Sequence, residues 1–128
     1  MAIKSPKNKG ASGEREAARL LVEWAAEVGV DIDPSRNLEQ TRGGGFDLNG
    51  VDGLAIEVKR VENMALPSWW RQAVRQADDV GWRPFLMWRQ NRKPWKFRVR
   101  LWVDGIVLDA DLEKGEAKKW FQAWIKSR

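Results

Sequence analysis

The chain has 128 residues, a net charge of +5 and a pI of about 9.8: one domain by length, large enough to bury a core without covalent staples. It contains no cysteine, histidine or tyrosine, which excludes disulfides, thiolate or imidazole zinc sites, thiol nucleophiles and tyrosine-based strand transfer. Any metal must rest on carboxylates, carbonyls and water, which favours Mg²⁺ or Mn²⁺ over zinc. No apolar run approaches the ~20 residues of a membrane span, and the N-terminus lacks the apolar stretch of a signal peptide. The chain therefore reads as a soluble, cytoplasmic protein of a reducing compartment, with no membrane partner.

In chain order, residues Met1 to Ser12 are polar and basic, with Lys4, Lys7 and Lys9. They read either as a disordered end or as an arm that orders on a phosphate backbone. Gly13 to Gly29 reads as a helix with Ser12 as N-cap and Gly29 as C′ stop. On a wheel of about 100° per residue, Ala17, Ala18, Leu21, Ala25 and Val28 lie within about 60° of Glu14. Glu16, Glu23 and Glu27 lie opposite. Glu14 is thus the one acid centred on the apolar face. In the first turn it could stay wet and favour the helix dipole; otherwise it points inward toward a site.

Asp31 to Gln40 reads as a polar connection, with Asp33-Pro34-Ser35 as a turn signal. A strand could begin at Glu39 to Arg42. Gly43-Gly44-Gly45 permits a sharp bend or close approach but lacks the Lys-Ser/Thr of a phosphate loop. Phe46 to Leu48 and Leu54 to Val61 read as strands joined by Asn49-Gly50-Val51-Asp52-Gly53. Glu57 and Lys59 share a strand face, while Ile56 and Val58 point into a core. A loop of three or five residues sets Asp47 opposite Ala55, on the face of Glu57 and Lys59 and diagonal to Glu57. An even loop puts it on the wrong face. Asp47, Glu57 and Lys59 together make a seat for a divalent ion and an attacking water. Asp52, in the turn, is the competing first acid.

Leu66 to Val80 reads as a helix opened by Pro67, with Trp70, Ala73, Val74 and Ala77 as its apolar stripe. Phe85 to Trp88, Trp95 to Val103 and Ile106 to Leu108 read as strands. A last helix lies within Asp111 to Lys126, with Ala117, Trp120, Phe121, Trp124 and Ile125 as its stripe. The order α-β-β-β-α-β-β-(β)-α implies a mixed sheet flanked by helices, an α/β fold. Between Gly81 and Val103 there are seven basic residues and no acid. The alternation of Lys96, Arg98 and Arg100 marks one strand face as either solvated or a DNA contact. Most of the nine tryptophans fit apolar stripes rather than base-stacking platforms.

Asp47…Glu57-Val58-Lys59 resembles the Asp…Asp/Glu-x-Lys signature of the PD-(D/E)XK nucleases, with Phe46 where a proline is usual. Lys9-Gly10-Ala11-Ser12-Gly13-Glu14-Arg15-Glu16 is similar to the opening of archaeal-type Holliday-junction resolvases. Leu66-Pro67-x-Trp69-Trp70-x-Gln72, after Glu57-Val58-Lys59-Arg60, is similar to small phage relatives of that group. The resemblance covers roughly residues 9 to 80. It implies a restriction-endonuclease-like fold in a single nuclease domain over 1–128. It also implies metal-dependent hydrolysis of phosphodiester bonds in branched DNA, in a bacterial, archaeal or phage-infected cell. In it, Asp47, Glu57 and the Val58 carbonyl hold Mg²⁺, which Mn²⁺ can replace. Lys59 orients the nucleophile and offsets developing charge. Glu14 completes the site, where it could hold a second metal or an outer-shell water, and Gln76 matches a glutamine of some related nucleases, though it also reads as an ordinary exposed helical residue. Lys9, Arg42 and Arg60 join the basic strand as DNA contacts. A homodimer follows from the paired nicks of a resolvase, with Trp120, Phe121 and Trp124 serving either its interface or the core. The alternative is a non-catalytic or non-junction-specific DNA-binding module on the same scaffold.

Overall fold

The structure, a computed structural model, describes residues 6–37 and 45–128, with side chains described outside residues 6–9. The elements are α1 (Pro6–Ala26), β1 (Ser35–Arg36), β2 (Leu48–Asn49), β3 (Leu54–Arg60), α2 (Leu66–Val80), β4 (Arg83–Arg89), β5 (Lys96–Val103), β6 (Ile106–Leu112) and α3 (Lys114–Lys126). The strands form one sheet in the order β1-β2-β3-β4-β5-β6. β3 and β4 run parallel, joined through α2, and every other pair is antiparallel.

Two helix ends follow from glycine. Gly29 has φ 77°, and the N–H groups of Gly29 and Val30 return to the carbonyls of Ala26 and Ala25. Gly81 has φ 70°, with Gly81 and Trp82 returning to Asp78 and Ala77. Both are Schellman stops, which need a left-handed residue that only glycine supplies cheaply. α3 opens on a capping box in which Glu113 and Glu116 satisfy each other's backbone.

β3 and β4 are buried on both faces, because helices cover each side. α1 and α3 pack against Ile56, Val58, Phe85, Met87, Phe97 and Val99. α2 covers the other face through Trp69, Trp70 and Ala73 against Leu86 and Trp88, and through Ala77 against Ala55. Each of the fully buried Phe85, Phe97 and Phe121 contributes roughly 2–3 kcal/mol by leaving water.

Three sequence expectations are corrected. α1 starts at Pro6 rather than Gly13, so Ser12 lies within the helix and is not its cap; proline is well suited to a first turn. The polar connection after residue 31 holds a short strand, β1. β4 and β6 are longer than expected because sheet pairing extends strands past their apolar centres. Of the stripe expected to serve either an interface or the core, Phe121 is buried, Trp120 stacks on Phe85 at 5.5 Å and Trp124 lies 6.4 Å from Phe121, so all three pack on the core. The strand expected from Glu39 to Arg42 lies outside the described residues.

Candidate active site

The site sits where β2, β3 and the N-terminal half of α1 meet. Leu48 pairs with Ile56, which brings Asp47 level with Glu57 rather than opposite Ala55. The loop parity is as the chemistry requires, and the register is shifted by two residues along β3. Phe46, packed at 5.1 Å on Trp82, anchors the chain just before Asp47. The Asp47 backbone N–H donates to the Ile56 carbonyl at 2.8 Å, and its carbonyl accepts from Asn37 N–H at 2.8 Å. Its Oδ2 accepts the Val58 N–H at 2.8 Å. Val58's carbonyl projects from the same edge of β3 as its N–H, toward the same carboxylate.

Glu57 is 1 % exposed, and Glu14 and Asp47 are buried as well. Glu57 Oε1 has no hydrogen-bond partner among the described residues. Burial, then the charge of Asp47, pushes the Glu57 carboxyl up to about 9, while Lys59 opposes the shift. Burial also raises Asp47, against the stabilising Val58 N–H; Glu14 adds to the rise and Lys59 counters it. The result is a pair of adjacent carboxyls that hold a proton between them at neutral pH. A hard divalent cation fits this donor set: it can replace the proton, neutralise the second carboxylate and satisfy the orphaned Oε1. Among the described residues no set of three acids converges closely enough to ligate one ion. Glu14 is ion-paired to Arg36 Nε of β1.

Asp52 is exposed in the β2–β3 turn, and its carbonyl accepts from Arg128 Nη2 at 3.0 Å. Lys59 is half-buried on the face of Glu57. Gln76 lies on α2, on that same side of the sheet, with its Oε1 buried and unpartnered among the described residues. It is therefore not the exposed helical residue that periodicity allowed.

The expected DNA contacts fare differently. Arg42 lies outside the described residues, and so does the Lys9 side chain. Arg60 is tucked beneath α1, 3.8 Å from Glu16 and 3.4 Å from Ser12 Oγ. The face of Lys96, Arg98 and Arg100 is neutralised. Arg98 pairs with Asp111, Arg100 with Asp109 at 3.0 Å, and Lys96 with Glu113 at 2.6 Å. The window with no acid ended just before the strand that supplies them.

Two residues escaped the sequence reading. Arg36 sits in a strand of two residues, too short to show periodicity. Glu16, read as facing outward, ties α1 to the sheet by bonding Arg89 and, at 3.0 Å, Trp95 Nε1. Gly13 has a reason of its own. A Cβ there would lie 2.9 Å from Arg60 Cβ, so glycine is what lets α1 approach β3 beside Glu14.

A mixed sheet with helices on both faces, carrying a buried Asp47–Glu57 pair and Lys59 on adjacent strands, defines a PD-(D/E)XK-type protein with the restriction-endonuclease-like fold. A family model described as "Phage putative PDDEXK endonuclease" matches residues 5–107, and the chain belongs to that family. Nucleases of this type generally depend on divalent metal. Among solved structures, the chain is similar to Hjc, a Holliday junction resolvase of the archaeal hyperthermophile Archaeoglobus fulgidus. The identity is 20%, the match spans 83% of this chain and 98% of that chain, and the TM-score is 0.49. No curated protein matches. No helix among the described residues is long and apolar enough to cross a membrane.

Proposed function

We propose that the chain is a Mg²⁺-dependent endodeoxyribonuclease, able to use Mn²⁺, that cuts branched DNA such as four-way junctions and works as a homodimer. One observation carries the hydrolytic part: Glu57, almost wholly buried with an unpartnered oxygen among the described residues, abuts Asp47 at the start of the neighbouring β2. A fold gains nothing in stability from such a pair, and its cost is explained by a cation that neutralises it. Asp47, Glu57 and the Val58 carbonyl would hold that ion. Once bound, it supplies an acidified water and a polarised scissile phosphate. Lys59 sets a positive charge on the same face, where it orients the nucleophile and balances charge developing on the phosphate. The buried Gln76 amide lies on that side to position water. Arg36 holds Glu14 at the margin of the site.

The preference for junctions rests on the opening Lys9-Gly10…Glu14-Arg15-Glu16 and on the burial of Glu14 beside the site. Against the reading as a non-catalytic DNA-binding module, the cations of the basic strand are ion-paired to Glu113, Asp111 and Asp109. The test is cleavage of synthetic four-way, flap and linear duplex DNA with Mg²⁺ by wild type and Asp47→Asn. The expected result is metal-dependent cutting of the four-way junction that falls about 10³-fold in the variant. Equal cutting by both proteins would refute the site. Linear duplex cut as fast as junctions would refute only the substrate preference.

A further inference from the structure

The hairpin of β5 and β6 overhangs the helices that cover the rest of the sheet. Trp102, Val103, Ile106, Val107 and Leu108 are each 47–59% exposed, and Trp102 is the one exposed tryptophan among the described residues. Together they offer an apolar surface on the order of 400 Å², the size that marks an interaction site on a soluble protein. β6 is also the edge of the sheet, paired only with β5 among the described residues. Edge strands are ordinarily guarded by lysine, proline or unpaired charge. β6 has neither lysine nor proline, and its acids Asp109 and Asp111 are spent on Arg100 and Arg98 of β5.

We propose that β6 pairs antiparallel, about a two-fold axis, with β6 of a second copy of this chain. The alternation of β6 favours this occupant. A two-fold axis through the sheet pairs residues whose numbers sum to an even value, so even positions always meet even positions. In β6 those are Ile106, Leu108, Ala110 and Leu112, which form an unbroken apolar row in any such register. An axis at Val107 or Leu108 also keeps Asp109 away from its own copy. The chain carries a net charge of +5; between residues 102 and 108 the single charge is Asp104, and the Arg83 guanidinium lies 4.4 Å over the Trp102 ring, so each copy brings one acid and one base to the contact. Two such patches total on the order of 800 Å² before the added backbone ladder, the size of a weak, transient interface, which suits a micromolar dimer.

The pairing stands without the nuclease reading; only its consequence for cutting rests on that reading. The two β3 strands would be seven strand spacings apart in a continuous sheet. At ~4.8 Å each, this separates the two sites by roughly 34 Å along the sheet, about one turn of duplex DNA.

Sedimentation equilibrium of the full chain and of the Ile106→Lys/Leu108→Lys variant tests the surface. Wild type dimerises in the micromolar range, and the variant's Kd rises at least tenfold with its melting temperature unchanged. Because the chain has no cysteine, Val107→Cys and Leu108→Cys give a second readout: one of them forms a disulfide-linked dimer under mild oxidation. The proposal is overturned by a wild type that stays monomeric at tens of micromolar. It is overturned equally by a dimer that survives the double variant, or by failure of both cysteines to cross-link. A monomer whose DNA affinity falls in the double variant would assign the patch to nucleic acid instead, and would also overturn it. Loss of DNA cleavage by Asp47→Asn leaves these outcomes untouched, so the two readings fail separately.

Discussion

The two ends of the sheet handle charge in opposite ways. On β5 and β6, three basic side chains meet three acids across or beside the strand, half in water. Trp70 Nε1 adds a 2.9 Å hydrogen bond to Asp109. On β2 and β3, Asp47 and Glu57 are buried against each other, one oxygen has no partner, and the third acid is bound to an arginine. The first arrangement is what a sheet does with surplus charge, and each exposed pair adds little. The second destabilises the fold as it stands, which marks it as the place where a ligand completes the structure. Counting charges in the sequence pointed to the basic strand; asking which charges remain unsatisfied points to the acids.

The contrast can be broken from either end. Among the cation substitutions the largest effect is expected from Lys59→Ala, which removes the ammonium two residues along β3 from Glu57 on the same face. Cleavage falls about 10²–10³-fold in single-turnover kinetics, with DNA affinity changed far less. Next comes the pH dependence of stability without metal. Glu57 keeps its proton to about 9 in the fold, against 4.5 as its ordinary value. The folded chain therefore binds the extra proton across that window, and stability falls as pH rises through it. Thermal melts from about pH 5 to about pH 9 should show this decline, and Glu57→Gln should flatten it. A metal-free protein that gains stability over the same range would mean the carboxyls are not coupled as described.

Gly13→Ala is a smaller perturbation. The added Cβ meets Arg60 at 2.9 Å, and the strain costs about 1–3 kcal/mol. Chemical denaturation measures that cost, and cleavage falls with it because α1 carries Glu14 away from β3. The smallest effect is expected at Arg100→Ala. It removes an exposed ion pair and a cation–π interaction with Trp70, 5.7 Å from the ring, worth about 1 kcal/mol together. The salt dependence of DNA binding should not move; if Arg100 instead neutralised a DNA phosphate, the substitution would lower the slope by about one unit.

Much of this contrast was legible beforehand. Gly29 announced where the first helix ends, because few residues take a left-handed turn without strain. The same-face requirement for Asp47 and Glu57 fixed the parity of their loop, and Glu14 stood out because an acid at the centre of an apolar stripe needs a reason. The register itself was not legible: Asp47 abreast of Glu57 and Asp47 opposite Ala55 obey the same parity, and tertiary packing chose between them. Arg36 was hidden because two residues have no period. The neutralisation of β5 was hidden because its partners come later in the chain, where only antiparallel pairing brings Asp109 and Asp111 back beside Arg100 and Arg98.

The central claim is that Glu57 serves chemistry at the expense of stability. The most direct measurement is the single-turnover cleavage rate of Glu57→Gln on a four-way junction with saturating Mg²⁺, at protein concentrations that fully bind the DNA. The account predicts a rate about 10³-fold below wild type from a protein that melts no lower than wild type. A rate within tenfold of wild type would contradict it.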